Sequence, residues 1–399
     1  MGVRLPSSPR PSPRVVRHAC LALGACMAIA CLQPIGGQEQ AGPAPPAAVF
    51  PGAQWERAAT PEAAGYSSQR LEALRVWLRS LDTTAMFVSV GGRSLFEYGD
   101  LRHLSYLASV RKSVLAILYG KYVENGTIPL RRTLRDLEFT DVGGLLPSEL
   151  EATVEDVITA RSGVYHLASN GGDDTASAPP RGSQRAGAYQ LYNNWDFNAA
   201  GAIFEKLTGR DIYDAVETDL ARPIGMQDFD RARQRKSGDL TRSQYPAYHM
   251  WYSVRDMARI GLLMLRGGEW AGKQVVSRQW TDRITSLVTP LNEMNPPRHR
   301  ALGTGMRWGY GYMWWVWDAP RSPGPYRGAY TGMGAGGQFI TVLPELDLVV
   351  AHKTDMAQPP AYAAGTRRRT VTGAEYESIL RMLIAARCPG GQCEPAAAR

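Results

Sequence analysis

The sequence "YLASVRKSVLAILYG", residues 106–120, carries a serine three positions before a lysine at the head of a predicted helix. Apolar residues follow up to the Asn125-Gly126 pair, a typical helix end. Because residues three apart lie on one helix face, Ser109 and Lys112 can bring a hydroxyl and an amine together. Such a lysine can take the serine proton if burial or neighbouring positive charge lowers its pKa. Arg111 either supplies that charge or points to solvent. The spacing alone is weak evidence for a catalytic pair, since it recurs by chance. Further motifs elsewhere in the chain are needed to support it.

Patterns along the chain predict a mixed α and β domain. Helical patterns occupy residues 67–81, 153–160, 196–209, 253–267 and 374–386. Short aromatic and β-branched runs, separated by Gly and Pro, predict strands at 85–90, 94–99, 310–317, 336–344 and 347–353. The first two strands flank a Gly91-Gly92 turn and read as a hairpin. The predicted fold class is therefore α+β, an antiparallel sheet flanked by helices plus a mostly helical lobe, with a cleft between them.

The N-terminal residues 1–31 read as an export signal. Four arginines precede an apolar stretch that ends in the small residues Ala28-Ile29-Ala30. These arginines supply half of the formal charge of +8. The signal predicts a periplasmic or extracellular protein. "LGAC" at Cys26 or "AIAC" at Cys31 also resembles a lipoprotein signal, whose lipid would attach the protein to a membrane; ordinary apolar use of these cysteines is the alternative.

The remaining chain divides into three parts by composition. Residues 32–54 are rich in Pro, Ala and Gly and predict a flexible linker. Residues 55–386 carry the periodic patterns of one folded domain. Residues 387–399 form a tail in which Cys388 and Cys393 either close a small disulfide or remain free thiols. At 44% apolar and 21% charged residues, the composition is that of a globular protein.

Several further motifs stand in order along the chain and resemble those of one family. They are "SVRKS" (109–113), "LEATVEDVITARSGVYH" (150–166), "YNNWDFNAAGAIFEKLTG" (192–209), "ARPIGM" (221–226), "YSVRDMARIGLLMLRGGEWAGKQVVS" (252–277) and "GAGGQFITVLPELDLVV" (334–350). Together they resemble the beta-lactamase-related serine hydrolases, the superfamily of class C beta-lactamases, D-alanyl-D-alanine carboxypeptidases, esterases and 6-aminohexanoate-dimer hydrolases. The resemblance extends over residues 55–386 and implies a beta-lactamase/transpeptidase-like fold.

The resemblance implies a role for each matching residue. Ser109 would be the acylated nucleophile, with Lys112 and Tyr192 jointly as its proton partners, because the acylation base is disputed among such enzymes. Asn194 stands at the third place of the Y-x-N element. The amides of Ser109 and Ala335 would form an oxyanion hole. Asn194 and the glycines Gly334 and Gly336 would help to bind the substrate, since glycine lets the backbone approach it closely. No metal and no cofactor are implied.

One departure from the family pattern concerns the substrate. Penicillin-recognising members carry Lys-Thr-Gly on the strand that lines the cleft, whereas this chain has "AYTGMGAGGQ" (329–338). Lys353-Thr354-Asp355 lies past the following strand and does not replace it. Without that cation, neutral ester or amide substrates are favoured over substrates with a carboxylate. A D,D-carboxypeptidase or beta-lactamase, with Arg327 as the cation, and a catalytically silent penicillin-binding-like protein are the alternatives.

Other classes of protein find little support. The chain has no G-x-S-x-G elbow, no H-E-x-x-H and no run of basic residues interleaved with aromatics, so an α/β-hydrolase, a metal hydrolase and a nucleic-acid-binding protein are disfavoured. Alternation places Trp315 and Trp317 on one strand face and Trp314 on the other. Core packing is their expected role, and His166 and His249 are expected to be structural hydrogen-bonding residues.

Overall fold

The computed structural model describes residues 2, 48–171, 175–297, 299, 305–356, 369–388 and 393. Cys26, Cys31 and nearly all of the predicted export signal, together with linker residues up to 47, lie outside the described residues. Within these residues, no helix combines the length and the apolar character needed to cross a membrane.

The helices and strands alternate along the chain in three blocks. The first block contains α1 (Ser68–Leu78), β1 (Ala85–Val90), β2 (Arg93–Gly99), β3 (Ser105–Tyr106) and α2 (Val110–Glu124). The second contains α3 (Val154–Ile158), α4 (Asn194–Thr208), α5 (Ile212–Val216), β4 (Arg235–Ser237), β5 (Ala247–His249), β6 (Trp251–Tyr252), α6 (Val254–Leu265), β7 (Glu269–Trp270), β8 (Lys273–Gln274) and α7 (Arg278–Ile284). The third contains β9 (Trp308–Tyr310), β10 (Trp315–Trp317), β11 (Tyr330–Gly334), β12 (Gln338–Leu343), β13 (Leu348–Lys353) and α8 (Gly373–Ala385).

The main sheet is antiparallel and joins the two ends of the domain. Its strand order among the described residues is β2-β1-β13-β12-β11-β10-β9. The N-terminal hairpin therefore pairs with the last strand, and the helical second block is inserted between the first two strands and the rest. The predicted α+β class, an antiparallel sheet flanked by helices, is confirmed.

Helices cover both faces of the sheet, which explains why its central strands read as continuous apolar runs. On one face, Gly261 of α6 packs so closely that an added Cβ would lie 2.4 Å from Val349 of β13. On the other face, Tyr376 of α8 stacks on Phe339 of β12 with ring centroids 3.7 Å apart. The same close packing brings α2 against β11, where an added Cβ on Gly332 would meet Ser113 at 2.9 Å. The helix that follows Ser109 is thus fixed against the sheet.

The predicted strand over residues 310–317 is wrong in its extent. The structure divides this stretch between β9 and β10, with a turn between them. Gly311 closes the turn by donating its N–H to the carbonyl of Trp314 at 2.8 Å, and Met313 adopts a left-handed φ of 59°. The aromatic run hides this turn because Tyr, Met and Trp favour strands by propensity. The structure also adds β11 as a strand of its own.

The two ends of the domain differ slightly from the predicted boundaries. Arg259 of α6 donates to the carbonyl of Gly52 at 2.7 Å, and Phe50 packs on Trp270. The end of the predicted linker therefore contacts the domain. At the other end, Cys388 and Cys393 form a disulfide.

Candidate active site

Ser109 stands at the first turn of α2, where the backbone is held in an uncommon conformation. Ala108 adopts a left-handed φ of 49°, which a residue with a side chain rarely takes. Ser109 follows as the N-terminal cap, and its carbonyl accepts from the N–H of Lys112 at 3.0 Å. The strained residue and the helix start together fix the hydroxyl at the mouth of a pocket.

Tyr192 and Asn194 reach the same place from the start of α4. The Asn193 side chain caps this helix by accepting from the N–H of Asp196 at 2.9 Å. Lys112 Nζ donates to the Tyr192 hydroxyl at 2.8 Å and to Asn194 Oδ1 at 2.9 Å. The structure therefore brings together residues that are about 80 positions apart in the chain.

Ser109 and Tyr192 line the same pocket and influence each other electrostatically. Burial is the largest influence on the phenol and raises the pKa of Tyr192 to about 12. The Ser109 side chain and the positive charge of Arg111 act in the opposite direction. Lys112 and Tyr192 thus form a hydrogen-bonded pair beside Ser109, within which a proton can pass between oxygen and nitrogen.

The turn between β11 and β12 forms the wall opposite the nucleophile. An added Cβ on Gly334 would lie 2.5 Å from the Leu107 carbonyl, so this position allows the strand to approach the chain just before Ser109. Gly336 has a φ of +80°, and a Cβ added to it would lie 2.0 Å from Met356. Among the described residues, neither the Ser109 nor the Ala335 N–H has a hydrogen-bond acceptor. Both N–H groups therefore remain available to an oxyanion.

The pocket in front of Ser109 is a cavity of about 370 Å³ with a mainly apolar wall. Its described lining comprises Ser109, Tyr192, His299, Met306, Trp308, Trp315, Met333, Gly334, Ala335, Gly336, Gly337, Phe339, Thr370, Val371, Thr372, Gly373 and Tyr376. None of these described residues is an Asp, Glu, Lys or Arg. Sequence reasoning missed most of this wall, because Met306, Trp308 and the segment before α8 carry no motif.

Other residues singled out in the sequence lie away from the described pocket. Lys353 ends β13, and Arg327 donates to Glu345 at 2.6 Å, so the structure does not place Arg327 as a carboxylate-binding cation. His166 contacts the backbone carbonyls of residues 142 and 167. His249 contacts the Tyr106 hydroxyl at 3.0 Å, and burial lowers the pKa of its ring to about 4.

Trp314, Trp315 and Trp317, the three tryptophans singled out in the sequence, have different surroundings. Trp315 lines the pocket and packs on Tyr192 with ring centroids 5.5 Å apart. Trp314 is fully buried on the opposite side, against Tyr330. Trp317 stacks on Tyr326. Only Trp315 of the three therefore combines core packing with a place in the described pocket wall.

The fold and the cluster define a class of α+β proteins in which a serine and a lysine, one helical turn apart, face a tyrosine across a cleft. A sequence profile of the Beta-lactamase family matches residues 79–374. The chain therefore belongs to the Beta-lactamase family, within the beta-lactamase-related serine hydrolase superfamily. This family consists of hydrolases, and the predicted family resemblance is confirmed.

Individual relatives are named for different activities. The 6-aminohexanoate-dimer hydrolase of Paenarthrobacter ureafaciens is 26% identical over 324 residues, which cover 73% of this chain and 79% of that protein. The structure of a family VIII carboxylesterase is similar with a TM-score of 0.56 and 12% identity, covering 84% and 99% of the two chains. A penicillin-binding protein homologue from Caulobacter crescentus has a TM-score of 0.54 and 14% identity, covering 80% and 97%. These two structures establish similarity of fold.

Proposed function

We propose that the protein is an exported serine hydrolase that cleaves an uncharged ester or amide through an acyl-enzyme on Ser109. The observation that carries the proposal is the contact of Lys112 Nζ with the Tyr192 hydroxyl at 2.8 Å, in a pocket that Tyr192 and Ser109 both line. A nucleophile beside a base and a second proton carrier is an arrangement suited to acyl transfer.

The acylation step follows from this geometry. Ser109 Oγ forms a bond to the substrate carbonyl carbon while its proton passes to the Lys112–Tyr192 pair. The carbonyl oxygen becomes an oxyanion that the N–H groups of Ser109 and Ala335 bind. The pair then gives the proton to the leaving oxygen or nitrogen as its bond to the carbonyl carbon breaks.

Deacylation repeats the same steps with water. The Lys112–Tyr192 pair takes a proton from a water molecule, whose oxygen attacks the acyl carbon. The ester bond to Ser109 breaks, and the proton returns to the serine oxygen. In each half of the cycle the pair gives up the proton that it took, and Ser109 regains from water the equivalent of the proton that the leaving group received, so the scheme requires no further co-reactant.

The pocket wall supports an uncharged substrate. No Lys or Arg occurs in its described lining, and Trp308, Trp315, Met333 and Phe339 offer apolar contacts. A substrate carboxylate would lose water without gaining a charged hydrogen bond from these residues. An apolar acyl or leaving group would gain from burial there.

A panel of substrates tests this proposal. Neutral nitrophenyl esters and anilides, matched derivatives with a carboxylate, and a penicillin are each offered to the wild-type protein and to Ser109→Ala. We expect turnover of neutral substrates that depends on Ser109. Saturable acylation by penicillin with poor ester turnover would instead favour a D,D-carboxypeptidase or beta-lactamase. No turnover and no adduct with any member would favour a catalytically silent protein.

Export rests on the sequence of the first 31 residues and has its own test. Expression of the full chain in a bacterium, followed by fractionation and mass analysis of the N-terminus, should recover a processed protein outside the cytoplasm. A lipid on Cys26 or Cys31 would place it on a membrane. An unprocessed N-terminus in the cytoplasm would contradict export.

A further inference from the structure

Arg111 lies between the two catalytic positions of α2 and is buried. Its side chain is 2% exposed, and Nη2 donates to Asn198 Oδ1 of α4 at 3.2 Å. The guanidinium carbon lies 4.7 Å from the centre of the Tyr248 ring. Among the described residues, Nε and Nη1 make no hydrogen bond, and no carboxylate oxygen lies within 4.0 Å of the guanidinium. The sequence question about Arg111 is thus answered in favour of a buried charge.

This arrangement is unfavourable for stability. A buried cation without a counter-ion loses its hydration and gains little in return. Its place in the first helical turn adds repulsion from the positive end of the helix dipole. Arg259 shows the usual solution: it is also fully buried, but its guanidinium donates to the carbonyls of Pro51, Gly52 and Ile224. A functional role would account for the unfavourable burial of Arg111.

The titratable groups that face Arg111 do not cancel its charge. Tyr192, Tyr213 of α5 and Tyr248 of β5 are phenols whose pKa values are raised, chiefly by burial, while Arg111 lowers them. His249, also of β5, has its pKa lowered by burial first and then by Arg111 and Arg235. At neutral pH Tyr213, Tyr248 and His249 are uncharged, so they leave the positive charge in place.

Two acids that act on the neighbouring Tyr213 are engaged elsewhere. Glu205 accepts from Lys236 at 2.5 and 2.6 Å. Asp211 accepts from Arg231 at 2.9 Å. The charge of Arg111 therefore acts on the adjacent Lys112–Tyr192 pair, where a second positive charge would face it in a poorly solvated region.

We propose that Arg111 is a positioning residue that keeps the Lys112–Tyr192 pair one proton short. The pair then exists as neutral lysine with phenol, or as ammonium with phenolate, and in either form it can accept the Ser109 proton. The inference rests on the proposed acyl-enzyme function. Two aromatic rings act in the opposite direction: the rings of Tyr192 and Phe197 lie 4.1 Å from Lys112 Nζ and favour an ammonium. Arg111 is the group that opposes full protonation.

The test is the pH dependence of Ser109 acylation by a fluorophosphonate probe. The acylation rate falls on the acidic side of the pH profile. The informative quantity, here called the limb, is the pH on that side at which the acylation rate reaches half its maximum. In Arg111→Met the repelling charge is gone, the pair holds its second proton to higher pH, and the limb should rise by about one to two pH units. Near pH 7 the rate should fall about tenfold or more and recover in alkali.

Asn198 offers a second route that keeps the arginine. Asn198→Asp places a carboxylate at the 3.2 Å contact and neutralises Arg111, so the limb should again rise. Asn198→Ala removes the same contact but leaves the charge, so its limb should stay near that of the wild type. Arg259→Met is the control for loss of a buried arginine, and it should lower stability without moving the limb.

The outcomes separate the two proposals. A limb that rises in Arg111→Met and Asn198→Asp, but not in Asn198→Ala or Arg259→Met, would support the role of Arg111. Normal labelling with unmoved limbs in all four variants would overturn it and leave the acyl-enzyme proposal intact. Absence of Ser109 labelling in the wild type would overturn both. If Arg111→Met fails to fold, the Asn198 pair decides.

Discussion

Two buried lysines, Lys112 and Lys353, look alike until their partners are compared. Each is 1% exposed, and each amine donates to two oxygens. Lys112 donates to the Tyr192 hydroxyl and the Asn194 side chain, which belong to the site in front of Ser109. Lys353 donates to the backbone carbonyls of Ser105 and Tyr252, both at 2.6 Å, and so joins β13 to β3 and β6.

The difference lies in what the partners can exchange. A phenol gives and takes a proton, whereas a backbone carbonyl only accepts a hydrogen bond. Burial lowers the pKa of Lys353 to about 7, against the opposing influence of Asp355. A lowered pKa and full burial therefore do not by themselves mark a catalytic amine. Contact with a second proton carrier and with a nucleophile does.

The sharpest contrast is expected from replacing each lysine by methionine. Lys112→Met removes the proton acceptor and should lower kcat/KM for a neutral nitrophenyl ester by about 10³-fold. Lys353→Met should stay within about tenfold of the wild type once folded protein is compared, because it touches no reacting atom. Steady-state kinetics at matched folded concentration, checked by circular dichroism, give the comparison. Equal losses in the two variants would remove the distinction.

Tyr192→Phe should produce the next largest loss. The ring packing remains, but Lys112 loses the oxygen at 2.8 Å through which protons reach the leaving group. We expect kcat to fall by about 10²-fold with KM little changed. Tyr310→Phe, which alters a neighbouring buried ring outside the proton path, is the matched control. Activity within about twofold of the wild type in Tyr192→Phe would exclude the phenol from proton transfer.

The lowered pKa of Lys353 predicts how stability depends on pH. Between about pH 7 and 10 the unfolded chain keeps the amine protonated, while the folded protein holds it neutral. The unfolded state binds more protons, so the free energy of unfolding should rise by about 1 kcal/mol per pH unit over this range. Urea titrations of the wild type and Lys353→Met measure the difference. A rise of the same size in both proteins would show that another group causes it.

The sequence could point to the candidate cluster because its members sit in local motifs. Ser109 and Lys112 are one helical turn apart, and Tyr192 with Asn194 stands at a recognisable helix start. The pocket wall could not be predicted in this way. β9 and α8 are the first and last elements of the third block in the chain. Trp308, Val371 and Tyr376 line one pocket only because the tertiary fold brings these distant segments together. The functions of all these residues stay predictions until they are tested.

Prediction of the fold has the same limit, because it succeeds where the sequence carries a local signal and fails where it does not. Helix bounds such as those of α2 and α4 followed from apolar spacing and a stop at Asn125-Gly126 or Gly209, which adopts a φ of 65° as the C-cap of α4. The β9–β10 turn escaped prediction because Met313 adopts a left-handed conformation that its residue type does not suggest. The sequence also left open whether Arg111 adds charge near Lys112 or points to solvent, since arginine is buried only rarely and no local pattern decides it.

A third lysine, introduced into the pocket wall, should give a smaller effect on substrate preference. Met333 of β11 lines the pocket, where no cation occurs in the described lining. Met333→Lys should shift kcat/KM about tenfold toward a carboxylate-bearing ester relative to its neutral counterpart. Met333→Gln has similar length without the charge and should leave the preference unchanged. The same shift in both variants would point to shape and not to charge.

The central claim is that Ser109 carries the acyl group and Lys112, not Lys353, prepares it. Intact mass spectrometry after brief exposure to a fluorophosphonate tests it most directly, with peptide mapping of the modified residue. The account predicts one adduct on Ser109 in the wild type and in Lys353→Met, a strongly slowed adduct in Lys112→Met, and none in Ser109→Ala. An adduct of normal rate in Lys112→Met, or one that persists in Ser109→Ala, would contradict it.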